Sequence, residues 1–265
     1  MIKANNSTVT GMDKKSAVWK RSTWFTVVEI EVNSHCNKRC VYCPVSMLPP
    51  LTVPKFMPDE IFERVIEELV RIDYQGLISY HFYNEPLIRR DLEQLVKQVT
   101  SRLPHAYQFL YTNGDFLTED RYHSLIESGV NHLMISSHDN KYVPSRPHQT
   151  VQYPKELVLS NRAGMMPSIA TVDKPLQQPC FAPSDNFIVT VTGDLVLCCD
   201  DAKRTNLMGN IMNSSIEEIW FSRKYQEIRK HLEAGDRTVL PLCRKCNSSE
   251  FFKKGENYQV HIIEE

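Results

Sequence analysis

The sequence predicts an α/β protein in which a partial α/β barrel is followed by a small cysteine-rich module made of a hairpin and a helix. Two observations lead to this prediction. Strand-like and helix-like segments alternate along the first half of the chain, which is typical of parallel βαβ units. After about residue 170 the alternation stops, and two short apolar runs around a Gly193-Asp194 turn indicate a β-hairpin.

The elements of the first half follow from their patterns. Residues 24–33 (WFTVVEIEVN) are rich in β-branched and aromatic side chains and predict the first strand. The same argument predicts strands at LISYHF (77–82), YQFLYTN (107–113), NHLMISS (131–137) and LVLS (157–160). Apolar positions spaced three and four residues apart predict helices that open at Pro58 and cover 91–99 and 118–127.

We divide the chain into four parts on these patterns. A polar extension covers 1–23, the barrel 24–170, and the cysteine module 171–250, with a helical stretch near 215–232. A charged tail forms 251–265. Because the chain has 265 residues, of which 42% are hydrophobic, it can bury a substantial core.

Charge and hydropathy say little about partners. The formal net charge of −1 gives no reason to expect nucleic acid or a membrane surface as a partner. No apolar run reaches the length of a membrane span, and the first residues lack the apolar segment of a secretory signal. We therefore expect a cytoplasmic protein.

The eight cysteines are the most informative residues. In a reduced compartment thiols stay unpaired, and clustered cysteines more often bind metal or do redox chemistry than form disulfides. Three of them, Cys36, Cys40 and Cys43, fall within eight residues directly after the first predicted strand. Three thiolates can ligate three irons of a [4Fe–4S] cubane and leave the fourth iron open, whereas zinc would need a fourth ligand close by, for which His35 is available.

This CxxxCxxC loop after the first strand resembles that of the radical S-adenosylmethionine (SAM) superfamily, in which the open iron binds SAM. The resemblance implies that Glu85, in a Tyr-Asn-Glu-Pro turn where the family usually has glycines, accepts the amino group of SAM. The alternative for Glu85 is a solvated loop charge. The resemblance also assigns Tyr42, Asn113 and Ser136 to the SAM site.

A second group of cysteines comes from three separate segments. Together with Met208–Ile211 and Trp220, it resembles the shortened SPASM, or twitch, module of radical SAM enzymes. That resemblance implies a second [4Fe–4S] cluster held by Cys180, Cys198, Cys243 and Cys246. A structural zinc site with four thiolates is the alternative.

The neighbouring Cys199 is left over from this ligand set. If the hairpin strand continues through Cys198, the two adjacent thiols point to opposite faces. Cys199 is then either a hydrogen-atom donor in the active site or a small buried side chain.

Longer stretches resemble radical SAM enzymes that act on aminocyclitols in aminoglycoside biosynthesis, namely EIEVNSHCN, HFYNEPL, YTNGDFLTE, LVLSNRAG and MGNI. The resemblance implies a substrate pocket with Tyr111 and Arg162, and two [4Fe–4S] clusters with SAM as cofactors. We add Asp200 to the substrate site as a candidate proton acceptor, although this position departs from the family pattern. The alternative for Arg162 is an ion pair at the surface or in the core. It also implies an external one-electron reductant such as flavodoxin or ferredoxin. Cys199 departs from the dehydrogenases of this group, which carry an aromatic residue there.

Three hypotheses follow. In the first, the enzyme abstracts a hydrogen atom from a carbinol carbon of a sugar or aminocyclitol, and Cys199 returns one from the opposite face, which makes the enzyme an epimerase. In the second, the carbinol is oxidised to a ketone and the second cluster accepts the electron. In the third, the protein is a zinc-stabilised binding module without catalysis.

Overall fold

The computed structural model describes residues 24–49 and 53–249, so the predicted extension at 1–23 and tail at 251–265 lie outside the described residues. Within that part, one sheet of eight strands has the order β5-β4-β3-β2-β1-β6-β7-β8. The strands are β1 (Val27–Ile30), β2 (Leu77–Ser79), β3 (Tyr107–Thr112), β4 (His132–Ser136), β5 (Gln149–Gln152), β6 (Asn186–Val189), β7 (Asp194–Val196) and β8 (Leu207–Asn210).

Six neighbouring strands, from β5 through to β6, pair in parallel, and β7 and β8 extend the sheet antiparallel. The longer helices are α1 (Asp59–Arg71), α2 (Leu92–Arg102), α3 (Glu119–Ser128) and α6 (Arg223–Glu233), and the short ones are α4 (Ala182–Asp185), α5 (Ile216–Trp220) and α7 (Pro241–Arg244). The predicted α/β class with a partial barrel is confirmed. No helix in the described ranges is long and apolar enough to cross a membrane.

The helix α1 shows how the pattern produces the barrel. Pro58 precedes its first turn, and Asp59 and Glu60 place negative charge at the positive end of the helix dipole. Five of its apolar residues recur at helical spacing and are buried in the main core, namely Ile61, Phe62, Val65, Ile66 and Leu69.

The cysteine module shares the sheet and the core of the barrel. Its first strand, β6, pairs in parallel with β1, in register from Val27 opposite Asn186 to Ile30 opposite Val189. The Phe187 ring stacks on Phe25 at 4.5 Å, and Trp220 of α5 packs edge-on against Phe25 at 5.0 Å. Because these rings belong to one core, the two cysteine groups are held at a set relative position.

Three local predictions were wrong. The segment LVLS (157–160) is not a strand, because β5 at Gln149–Gln152 already pairs with β4 and the later apolar residues border a cavity instead. The helical stretch near 215–232 is two helices, divided where Ser222 caps the start of α6. The strand β7 ends at Val196, so Cys198 and Cys199 lie in a turn, and strand alternation does not decide which way their thiols point.

Candidate active site

The first three cysteines lie in the loop after β1 and border a cavity of about 480 Å³. This loop is tied to the end of β2, because Asn33 donates to the Glu85 carbonyl at 2.8 Å and the Glu85 N–H donates to the His35 carbonyl at 2.8 Å. A 3₁₀ turn, Pro44–Ser46, follows Cys43 directly. The position matches the carboxyl edge of a parallel sheet, where α/β proteins build their sites.

The chemistry of this loop suits a cluster of soft metals. Cys36, Cys40 and Cys43 are unpaired, partly exposed thiols that all face the cavity. Burial raises the pKa of each thiol, so each would release its proton on binding a metal. Among the residues that the structure describes, no three His, Cys, Asp or Glu side chains are close enough to hold a single metal ion. Three thiols around open space fit a cubane with one free iron.

The predicted SAM contacts border the same cavity, but Glu85 is also bound by the chain itself. Its carboxylate is 2% exposed and accepts from Leu87 N–H at 3.0 Å, Thr112 Oγ1 at 2.7 Å and Asn113 N–H at 2.7 Å. A carboxylate has about four acceptor positions, so little capacity remains for an ammonium group. Asn84 has no positive φ, so asparagine stands without strain where a glycine was expected.

The other three predicted SAM residues surround the cysteine loop. Asn113 donates to the Asn37 side chain at 2.8 Å and lies 3.9 Å from the Cys36 sulfur. The Tyr42 hydroxyl is hydrogen-bonded to His138 Nδ1 at 2.6 Å. Ser136 ends β4 and faces the cavity. The fold therefore brings these three side chains together with the thiols.

The same cavity is also lined by Tyr111, Arg162 and Cys199. The Tyr111 ring packs on His81 with centroids 4.4 Å apart. Arg162 has a left-handed backbone (φ +46°) and extends a side chain that is 32% exposed. Burial acts to lower the pKa of Arg162, but Tyr83 and Asp200 raise it above its ordinary value, so the guanidinium stays charged. Its rigid fork of N–H donors can orient hydroxyl groups.

Asp200 does not border this cavity and lies behind Arg162 instead. Its Oδ1 accepts from Arg162 Nη1 and from Ser160 Oγ, both at 3.2 Å, while Oδ2 lies 3.4 Å from the Cys246 sulfur. The side chain is only 4% exposed. A direct substrate contact was expected here, and the structure places this carboxylate between the cavity and the second cysteine group.

The remaining cysteines surround a second, smaller cavity. It is lined by Cys180, Cys198, Cys199, Cys243 and Cys246. Burial raises the pKa of all five thiols, to about 12 for Cys243. Five thiols from three segments around one space fit a four-thiolate metal group with one sulfur to spare.

Cys199 borders both cavities, which distinguishes it from the other cysteines of the described chain. The Tyr83 hydroxyl holds its carbonyl at 2.6 Å. The turn beyond it is stabilised by Asp201, whose buried carboxylate accepts from the Thr205 and Asn206 N–H groups at 2.9 and 2.7 Å. The turn therefore sets the direction of this thiol more firmly than a strand end would.

Sequence reasoning missed several residues that face these cavities. His81 and Tyr83 both border the larger cavity, but they follow β2 in a segment whose successive residues all line it, so no periodic pattern could have identified them. Burial and the nearby Arg162 lower the pKa of His81 to about 3, so its imidazole is neutral. Arg237, beside the second cysteine group, carried no signal in the sequence because its neighbours come from distant segments.

Comparison with known proteins agrees with this architecture. The model of the radical SAM superfamily matches residues 30–141, and that of an iron–sulfur cluster-binding domain, SPASM, matches residues 180–247. The chain belongs to the radical SAM superfamily. It is a radical SAM enzyme whose cofactors are SAM and two iron–sulfur clusters, which the two thiol-lined cavities fit.

Among its relatives is the S-adenosyl-L-methionine-dependent 2-deoxy-scyllo-inosamine dehydrogenase of Niallia circulans. The two are 35% identical over 235 residues, which cover 84% of this chain and 93% of the relative. The crystal structure of BtrN in complex with AdoMet and 2-DOIA has a TM-score of 0.80 at 34% identity, covering 88% of this chain and 97% of BtrN. A BtrN structure in an open conformation has a TM-score of 0.72 at 31% identity, with 89% and 97% covered.

Proposed function

We propose that this enzyme oxidises a carbinol carbon of an aminocyclitol, a compound of the 2-deoxy-scyllo-inosamine type, to a ketone. The observation that carries the proposal is a single cavity that is lined both by the three cysteines and by Arg162, Tyr111 and Cys199. The 35% identical relative is named as a dehydrogenase of such a compound. Oxidation is therefore better supported than inversion, which the sequence alone ranked first, and nothing supports a non-catalytic zinc protein.

For the cofactors, we assign the thiols as the sequence predicts them. The first cluster would be held by Cys36, Cys40 and Cys43, and the second by Cys180, Cys198, Cys243 and Cys246. When bound, the first cluster and SAM supply the radical that takes a hydrogen atom, and the second cluster supplies an acceptor for one electron. Tyr42, Asn113 and Ser136 would border the SAM, and Glu85 would position the Asn113 backbone beside it.

The chain's own part is to orient the alcohol and to remove its proton. Oxidation of a carbinol breaks one C–H and one O–H bond and forms C=O, so a hydrogen atom, a proton and an electron leave. The Arg162 guanidinium can hold the substrate oxygen and favour the loss of its proton to water in the cavity. Asp200 fixes the position of that guanidinium from behind at 3.2 Å. Tyr111 and the neutral His81 add polar and apolar contacts for the ring of the aminocyclitol.

Epimerisation is the second candidate, and Cys199 is the observation that favours it. Burial raises the pKa of this thiol well above its ordinary value, so at neutral pH it keeps its hydrogen. It also faces the cavity that holds Arg162 and Tyr111. A protonated thiol on the opposite side of a substrate radical could return a hydrogen atom and invert the carbon.

One experiment separates the two candidates. The anaerobically reconstituted enzyme is incubated in D2O with SAM, a reductant such as flavodoxin, and a set of aminocyclitols. We expect a product two mass units lighter than the substrate, which is the ketone. A product with one carbon-bound deuterium from solvent would mean epimerisation, and cleavage of SAM without change of any aminocyclitol would contradict the substrate class. Metal analysis that finds zinc in place of iron would refute the proposal as a whole.

A further inference from the structure

Arg237 is a fully buried cation behind the second cysteine group. Its side chain is 1% exposed and borders the smaller cavity. Its guanidinium donates to backbone carbonyl oxygens, those of Gln178 at 3.1 Å, Pro179 at 3.3 Å and Ser248 at 3.3 Å. These bonds fix the guanidinium in place but leave its positive charge uncompensated.

A buried charge without a counter-charge is strongly unfavourable. The ion pairs of residues 24–49 and 53–249 do not include Arg237, although they include the nearby Asp200 with Arg162. The acidic groups that border the same cavity as Arg237 are the cysteine thiols and the carboxylate of Asp200, which is already paired with Arg162. Arg237 borders the same cavity as Cys180, Cys243 and Cys246, three of the four proposed ligands of the second cluster.

We propose that Arg237 is the counter-charge of the second cluster and raises its reduction potential, which makes that cluster a better electron acceptor. The inference rests on the proposed function, because it needs a redox-active cluster held by the second cysteine group. Arg237 is a positioning residue, since it acts on the cluster and touches no substrate.

The physical reason is the charge that reduction adds. Four thiolates outweigh the positive charge of a [4Fe–4S] core, so the ligated cluster is an anion, and reduction adds one more negative charge. Net charge, burial and hydrogen bonding set the potential of such clusters. A cation that the fold holds beside the sulfurs stabilises the reduced form more than the oxidised form, and burial weakens the screening of that effect.

The test is a redox titration followed by electron paramagnetic resonance. The full chain carries Cys36→Ala, Cys40→Ala and Cys43→Ala, so that only the second cluster contributes a signal. Arg237→Gln removes the charge but keeps N–H donors for the backbone carbonyls. Arg237→Lys keeps the charge but loses the planar set of guanidinium N–H donors. We expect Arg237→Gln to lower the ratio of reduced to oxidised cluster about tenfold at a fixed potential, which corresponds to 59 mV for one electron. Arg237→Lys should stay close to the parent protein.

Arg229→Gln is the matched control. Arg229 is also a buried arginine of this module, but its guanidinium stacks on Trp220 and Tyr225 at 4.0 and 4.5 Å and does not border the cysteines. It should leave the ratio unchanged. The proposal also predicts that any loss of iron will be greater in Arg237→Gln than in Arg237→Lys.

An unchanged reduction potential of the second cluster in Arg237→Gln would overturn the inference. Loss of iron to the same extent from the glutamine and lysine variants would also overturn it, because hydrogen bonding by Arg237, rather than its charge, would then retain the cluster. The proposed function fails in a different way. If the parent with three alanines holds zinc or no metal, the second cluster itself is absent, and this is seen before Arg237 is changed.

Discussion

The guanidinium of Arg162 lies 3.2 Å from the carboxylate of Asp200, and the other oxygen of that carboxylate lies 3.4 Å from the Cys246 sulfur. One buried side chain therefore touches a residue of the larger cavity and a thiol of the smaller one. Arg162 and Asp200 are 38 positions apart, and the segment between them includes β6 and β7, so this contact depends on how the module folds back on the barrel.

We predict that Asp200→Asn lowers kcat/KM by about 100-fold, because Arg162 loses the charge that positions it and small displacements of an orienting group are costly. Steady-state kinetics of ketone formation checks this. Asp236→Asn, which changes a partly exposed aspartate that accepts from Thr238 Oγ1 at 2.6 Å, is the control and should keep full activity. Equal activity of the two variants would show that Asp200 does not position Arg162.

Cys199→Ala should still form the ketone, at a rate within about threefold of the parent enzyme. Oxidation to the ketone requires no hydrogen atom from Cys199, so the loss of its thiol should change the activation barrier by less than about 1 kcal/mol. The ketone and 5′-deoxyadenosine are quantified by mass spectrometry. Cys199→Ser, which keeps the size of the side chain, controls for packing. If the parent incorporates solvent deuterium and the alanine variant yields ketone instead, Cys199 is a hydrogen donor and the parent is an epimerase.

Each of the two cysteine groups should hold half of the iron that the protein binds. Replacing Cys36, Cys40 and Cys43 by alanine removes half of the bound iron, and replacing Cys243 and Cys246 removes the other half, because thiolates are the only ligands each cluster would have in the chain. Iron and sulfide analysis of anaerobically purified protein measures this. The first variant should also lose SAM cleavage. Retention of all the iron by either variant would contradict the ligand assignment.

The buried Glu31 makes stability depend on pH. Burial raises the pKa of this carboxyl to about 7, although Arg204 at 2.8 Å and the Val191 N–H at 2.8 Å act to lower it. The folded state therefore binds more protons than the unfolded state between the unfolded pKa, near 4.5, and pH 7. The contribution of Glu31 to stability is greatest below that range and declines as the pH rises through it.

We accordingly expect the free energy of unfolding of the parent, minus that of Glu31→Gln, to fall as the pH is raised from 5 to 8. Urea denaturation of the two proteins at several pH values measures the difference. Glu217→Gln, which changes an exposed glutamate in the first turn of α5, should show no such trend. A difference that grows with pH would mean that the Arg204 pair outweighs burial.

Gly129 ends α3 in a left-handed conformation, with φ +116°. A Cβ there would also lie 2.0 Å from Thr100 Oγ1. We predict that Gly129→Ala costs about 2–3 kcal/mol, of which about 1–2 is the backbone strain of a non-glycine residue. Gly235→Ala shares the positive φ, +86°, but its Cβ would meet nothing closer than 3.5 Å, so it should show the strain alone. Thermal unfolding under matched conditions compares the two variants.

Much of the barrel could be predicted because its signals are local. Strand and helix periods are set by side chains a few residues apart, as in α1, and the spacing of Cys36, Cys40 and Cys43 needs only eight residues of chain. LVLS at 157–160 was misassigned as a strand because strand formation there depends on tertiary contacts and not on local signals. Its composition suits a strand, but a strand there would have to pair with the sheet, and β5 already takes the position beside β4.

The amino-acid sequence by itself determined the superfamily, the two groups of cysteines and the kind of chemistry that they serve, since these depend on residue type and short spacing. Only the tertiary structure decided that Cys199 faces both cavities, that Asp200 lies behind Arg162, and that Arg237 lies beside the second thiols. Such contacts join residues far apart in the sequence, with 38 positions between Arg162 and Asp200 and 46 between Asp200 and Cys246. Packing of β6, α5 and α6 against the barrel sets those distances, and no local pattern encodes them.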